Sequence, residues 1–216
     1  MNFNEKTYFI SGIDTDCGKT YITGLLAKKL KNDGKNTITQ KLVQTGCEGI
    51  AEDILAHRST MECTLFPEDA TGLTHPYVFT YPASPHLAAR LDGKKISKEK
   101  LENAITELSS RYQINLVEGA GGLFVPLFDQ YCLIDFLVEN QYPLILVSSS
   151  KLGSINHTLL SLNACKSHKL NLQLLIYNQL PDADPTISDE SFSFIKSYVE
   201  TNFEGVEVMH GKELSY

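Results

Sequence analysis

Apolar residues along the chain alternate between two patterns. Short, nearly unbroken apolar runs end in a turn, and after each one apolar positions recur every three or four residues. "TYFISG" (7–12) leads into a predicted helix from Gly18 to about Asn32, whose Ile22, Leu25, Leu26 and Leu30 share one face. "NTITQKLV" (36–43) reads as the next strand. Ser97 is the predicted cap of a helix carrying Leu101, Ala104, Ile105, Leu108 and Tyr112. "INLVEG" (114–119), "PLILVSS" (143–149) and "LQLLIYN" (172–178) are apolar on both faces, the mark of parallel strands covered on two sides. Helical patterns occupy 153–168 and 188–203, and the Pro-rich "HPYVFTYPASPH" (75–86) is predicted to be an irregular insertion over one sheet edge. The expected fold class is α/β: a doubly wound, mainly parallel sheet flanked by helices, forming one domain over residues 1–216.

Ligands of such sheets bind beyond the carboxyl ends of the strands. The polar clusters of this chain sort to those ends, following 7–12, 36–43, 114–118, 143–149 and 172–177. Composition narrows the ligand class. A formal charge of −7 argues against nucleic acid or an anionic membrane surface as the main partner, while leaving room for small anions at a local positive cluster. The five cysteines (Cys17, Cys47, Cys63, Cys132 and Cys165) form no C-x-x-C pair, which fits reduced thiols and neither a disulfide framework nor a zinc site. The N-terminal apolar segment is too short for a signal peptide, and the densest run, "YPLILV" at 142–147, is far short of a membrane span. A soluble, cytoplasmic protein is expected.

The candidate chemistry starts at "GIDTDCGKT" (12–20). A phosphate-cradling loop has four residues between its first glycine and Gly-Lys-Thr, whereas Gly12 and Gly18 are separated by five. Gly18-Lys19-Thr20 still opens a helix directly after a strand, where N–H groups and the helix dipole favour an anion. Lys19 is placed to reach the β- and γ-phosphates, and the Thr20 hydroxyl to ligate Mg²⁺. Asp16, Cys17, Gly18, Lys19, Thr20 and Tyr21 are the expected nucleotide contacts of this loop. The additional residue is expected to move Thr15 and Asp16 towards the space beyond the γ-phosphate, where an acceptor molecule would lie. Glu118 ends an apolar strand and precedes Gly119-Ala120-Gly121-Gly122, so it is a natural Mg²⁺ ligand beside glycines that allow close approach. Asn178 presents a donor and an acceptor together, matching the N6/N7 edge of adenine, and an Asn-turn reading stands beside that one. Cys17 reads as a spacer, and the six histidines (57, 75, 86, 157, 168 and 210) show no metal-ligand spacing.

"GIDTDCGKT", "KLVQTG" (41–46), "SPH" (84–86), "VEGAGG" (117–122) and "KLGSINH" (151–157) occur in the order and spacing of the dethiobiotin synthetase family. The chain resembles that family from about residue 7 to 178, departing from its usual pattern at Ile13 and Leu42. The resemblance implies an ATP- and Mg²⁺-dependent enzyme that joins CO₂ to the vicinal diamine 7,8-diaminopelargonate (diaminononanoate). A carbamate and a carbamic–phosphoric mixed anhydride would be its intermediates, and dethiobiotin, ADP and phosphate its products. Lys19, Lys41, Thr15 and Asp16 are the expected catalytic residues, with the role of Lys41 implied by the resemblance; Thr20, Asp53 and Glu118 are the expected metal ligands, with Asp53 implied by it too. Thr45 and Gly121 fall at the reacting end of the substrate, and Glu118 and Asn178 join the nucleotide contacts. Gly153, Ser154, Ile155 and Asn156 are implied to hold the substrate's carboxylate tail across a homodimer interface. Without the resemblance, Lys41 reads as a solvated strand-end lysine, Asp53 as a helix-start residue and 153–156 as a capped helix.

A rival reading is a partition- or assembly-type ATPase switch that binds a protein or membrane. Such proteins often carry a second lysine near the first loop glycine, where this chain has Ser11, Gly12 and Ile13. They also tend to end in a basic amphipathic helix, a pattern that "EVMHGKELSY" lacks.

Overall fold

The computed structural model describes residues 3–214. β1 (Thr7–Gly12) turns into α1 (Lys19–Asn32), which returns to β2 (Thr37–Lys41). A detour follows, made of β3 (Gln44–Thr45), α2 (Glu52–Thr60), α3 (Pro67–Ala70), β4 (Val78–Phe79) and α4 (Pro85–Leu91). The chain re-enters through α5 (Lys98–Arg111) and β5 (Ile114–Gly122), then makes a small hairpin of β6 (Pro126–Phe128) and β7 (Tyr131–Cys132). It continues through α6 (Leu133–Asn140), β8 (Leu144–Ser149), α7 (Ser154–Ser167) and β9 (Leu172–Asn178). The last elements are α8 (Pro185–Asn202), β10 (Glu207–His210) and a 3-10 turn at Gly211–Leu214.

Six strands pair in the order β10-β9-β8-β1-β5-β2, every neighbour parallel. β1 lies inside this order, with β5 on one side and β8 on the other, so its carboxyl end falls where the winding changes direction. Phe9 and Val117 pack on one face with Leu101 and Ile105 of α5 and Phe136 of α6. Tyr8, Ile10 and Leu116 pack on the other face with Ile22 and Leu26 of α1. Burial on both faces explains the unbroken apolar runs of β5, β8 and β9. Among the described residues, no helix is long and apolar enough to cross a membrane.

Three local expectations are corrected, and one strand is added. The strand expected over 36–43 ends at Lys41 because Lys41 N–H donates to Thr74 O at 2.8 Å, and Gln44–Thr45 then pairs with Val78–Phe79 outside the main sheet. The Pro-rich 75–86 segment is therefore not wholly irregular: it supplies β4, and α4 starts at its Pro85. β5 runs past the expected 114–119 to Gly122, because Gly12 regains β1–β5 pairing at Gly122 after a shift of register beyond Ile10 and Glu118. β10 went unread because a four-residue, part-exposed edge strand carries little apolar signal.

Phe9 has no exposed surface and touches the helices on its face. Phe9→Ala is expected to lose about 3–5 kcal/mol of unfolding free energy in a urea titration, the range for emptying a well-packed aromatic site.

Candidate active site

The loop after β1 closes tightly. A Cβ on Gly12 would come within 2.5 Å of Cys17 Sγ and 3.0 Å of Lys19 Cδ, so glycine lets the lysine stem cross the strand end. Gly18, at the start of α1, has φ +93°, and a Cβ there would lie 2.0 Å from Asn178 Nδ2. That amide donates to Cys17 O at 3.0 Å, tying the end of β9 to the loop. The Lys19 ammonium folds back onto Asp14 O at 2.9 Å. The α1 N-terminus has no side-chain cap and no acidic residue in its first turn, leaving it suited to an anion. Asp16 takes a left-handed conformation (φ 56°) within the longer loop. Thr15 and Asp16 stand exposed at the rim, Cys17 is buried in the apolar cluster beneath, and Tyr21 faces outward.

Below the loop, three polar side chains converge on Glu118, and a fourth, Asp53, joins them through Lys41. Strand register pairs Lys41 with Glu118, so the parallel ladder itself brings ammonium to carboxylate. Lys41 Nζ donates to Glu118 Oε1 at 2.8 Å and to Gly119 O at 3.2 Å, and forms an ion pair with Asp53 Oδ2. Thr20 Oγ1 donates to the same Oε1 at 3.0 Å. His57 Nε2 lies 2.8 Å from Oε2, while its Nδ1 lies 3.1 Å from Thr39 Oγ1. Thr39 and Lys41 are two apart on β2, and Asp53 and His57 are four apart on α2, so each pair shares a face. Burial alone would lower the Lys41 pKa, but the charges and hydrogen bonds of Glu118 and Asp53 outweigh it and raise it. Burial alone would raise the Glu118 pKa, yet Lys41 and the His57 hydrogen bond hold this carboxyl far below the usual range. Both shifts favour the charged forms of a pair with little exposed surface.

These residues open onto a cavity of about 790 Å³, whose wall includes Thr15, Asp16, Lys19, Thr45, Gly121 and Ser84. Thr20, Lys41, Asp53 and Glu118 line it too, so one space joins the loop to the carboxylates. Asn178 is buried behind the loop and lies outside that lining. Gly153, Ser154 and Ile155 line a separate cavity of about 370 Å³ with Thr186 and Ile187 of α8, and Asn156 is exposed beside them. Buried Ser154 is bonded to Ser149 Oγ at 2.9 Å. Among the described residues, no group of three His, Cys, Asp or Glu gathers to bind a metal. The Thr20 hydroxyl with the Asp53 and Glu118 carboxylates is nevertheless a hard-oxygen set suited to Mg²⁺, and the Lys41 ammonium already occupies a cation's place between those carboxylates.

The histidine pattern gives His57 no role, and its spacing of four from Asp53 at a helix start is the one signal that points to it. The adjoining buried pair has no such signal. Arg58 donates to both Asp69 oxygens at 2.8 Å, Thr74 Oγ1 and Phe66 N–H donate to the same carboxylate, and Arg58 Nη1 donates to Thr39 Oγ1 at 2.6 Å.

A family model described as an AAA domain matches residues 6–211. The structure of a ParA family ATPase from Chlorobium tepidum TLS superposes with a TM-score of 0.55 at 14% identity, over 95% of this chain and 83% of that one, a likeness of fold alone. Sheet order, glycine loop and loop lysine define a P-loop nucleotide-binding protein. The ATP-dependent dethiobiotin synthetase BioD 2 of Pasteurella multocida (strain Pm70) is 51% identical over 90% of this chain and 92% of its own length. Its namesake from Haemophilus ducreyi (strain 35000HP / ATCC 700724) is 47% identical over 94% and 97%. The chain belongs to the ATP-dependent dethiobiotin synthetase family and is a ligase.

Burial works to raise the Asp69 pKa, but Arg58 lowers it below 3.8. Its contribution to stability is therefore present above the unfolded value and lost as pH falls towards the folded one. Asp69→Asn is expected to cost about 3–5 kcal/mol at neutral pH, with the deficit shrinking below pH 3.8 as the native protein loses the same contribution. Unfolding free energies of both proteins across that range check it.

Proposed function

We propose that the main cavity holds ATP beside a carbamylated diamine, and that the protein closes the ureido ring of dethiobiotin from 7,8-diaminopelargonate and CO₂. The observation that carries this reading is the single cavity joining the loop lysine, Lys41 and the rim residues Thr15 and Asp16. One diamine nitrogen adds to CO₂ and loses a proton, giving a carbamate. A carbamate oxygen attacks the γ-phosphorus as ADP leaves, and the second nitrogen then attacks the carbonyl carbon, losing a proton and expelling phosphate as the urea closes. This chemistry needs alignment and charge neutralisation more than a protein nucleophile.

In this reading Lys19 leaves Asp14 O to bind the β- and γ-phosphates, and Lys41 holds the carbamate against the transferred phosphoryl group. The N–H groups from Asp16 to Tyr21 bind phosphate, and Asn178 holds the loop from behind while reading the base. Thr15, Asp16, Thr45 and Gly121 position the diamine. A Mg²⁺ ion would be held by Thr20 Oγ1, Asp53 and Glu118, supplying Lewis-acid neutralisation of phosphate oxygens. Within one chain the 153–156 turn lies at a different cavity, and in this reading it meets the diamine's carboxylate across a homodimer interface. A cytoplasmic location goes with this reading.

The competing switch ATPase remains disfavoured by Ser11, Gly12 and Ile13, none of which supplies a second loop lysine. ATP turnover is expected to depend on diaminopelargonate and bicarbonate, and Lys19→Ala to reduce it by at least about a thousandfold, in line with loss of a phosphate-charge stabiliser. Turnover stimulated only by liposomes, or native kinetics in Lys19→Ala, contradicts the assignment.

A further inference from the structure

Each Glu118 oxygen has its own environment. Oε1 faces Thr20 and Lys41 at the cavity, while Oε2 is turned inward to His57. The hydrogens on the inward side can be ordered, because a guanidinium only donates. Arg58, locked by two bonds to Asp69, donates from Nη1 to Thr39 Oγ1 at 2.6 Å. The Thr39 hydroxyl is then free to donate its own hydrogen to His57 Nδ1, 3.1 Å away. An accepting Nδ1 leaves the ring proton on Nε2, which donates to Glu118 Oε2 at 2.8 Å. Asp69, Arg58, Thr39, His57 and Glu118 are all at most 2% exposed, so water cannot substitute for a missing member.

We propose that His57, donating from Nε2–H, is a positioning residue that fixes the Glu118 carboxylate with Oε1 directed into the cavity. Rotating the carboxylate would strip a buried acceptor of its partner, and the Arg58–Thr39 bonds keep the imidazole from following. His57 touches neither nucleotide nor diamine; it acts through Glu118, as outer-shell partners orient metal-binding groups. The proposal rests on the reading of Glu118 as a Mg²⁺ ligand.

The test uses the full chain. In the native protein without ligands, two-bond ¹H–¹⁵N correlation spectra of the imidazoles are expected to show an Nε2–H pattern for His57, assigned by its loss in His57→Gln. Mg²⁺ binding in the presence of a non-hydrolysable ATP analogue is then titrated in His57→Leu, His57→Gln and Glu118→Gln, with urea midpoints measured for each. His57→Leu is expected to raise the half-saturating Mg²⁺ concentration about 10–100-fold, the range for outer-shell changes. His57→Gln, whose amide nitrogen stands in for Nε2, is expected to recover most of that loss. An Nδ1–H pattern overturns the proposal, as does a native Mg²⁺ response in His57→Leu, or Leu and Gln losses that simply follow their urea midpoints. If His57→Leu does not fold, the native spectrum and His57→Gln decide. Glu118→Gln separates the two layers: no Mg²⁺ effect there removes the metal-ligand reading and this proposal with it. An effect there with none in His57→Leu removes the proposal alone.

Discussion

A buried lysine and a buried glutamate held opposite one another by strand register are the constraint on which the site depends. Lys41 and Glu118 are cross-strand partners on β2 and β5, so their encounter is fixed by the backbone ladder before any side chain chooses a rotamer. A dry ion pair is costly to form and more costly to break, because removing one member strands the other. The surroundings meet that cost with directed hydrogen bonds: Thr20 and Lys41 on one carboxylate oxygen, His57 on the other, and Asp53 on the ammonium. The sheet supplies the register, and α2 supplies Asp53 and His57 at the spacing that matches Thr39 and Lys41.

The loop is set on this base. Gly12 gives Lys19 room to pass, Gly18 takes the left-handed turn into α1, and Asn178 holds the loop from the neighbouring strand end. In the structure both lysines are occupied internally, Lys19 by Asp14 O and Lys41 by two carboxylates. Substrates in the proposed reaction replace those internal partners. The site therefore carries its positive charge without exposing it, and a chain with formal charge −7 can still accept polyanionic ligands.

Much of the architecture was legible because strands buried on both faces write unbroken apolar runs, and α1 and α5 write clean helical faces. β10 and the 44–79 detour were less legible: short edge strands such as Val78–Phe79 are specified by partners far along the chain. The loop and Glu118 stood out because glycine spacing and a strand-end carboxylate are local signals. His57 offers only its spacing of four from Asp53, and Thr39, Arg58 and Asp69 offer none, because their importance arises from packing α2 and α3 against β2. Asn178 shows the difference in another way: its position at a strand end was readable, but its bond to Cys17 O depends on two loops meeting.

In the proposed reaction the γ-phosphoryl group leaves ATP for an oxygen derived from CO₂ within this one cavity. Single-turnover reaction with ¹⁸O-labelled CO₂ in unlabelled water, quenched before exchange, tests it through the mass of the released phosphate. One labelled oxygen is expected in each phosphate released with the urea. Phosphate carrying no label, its new oxygen supplied by water, would contradict it.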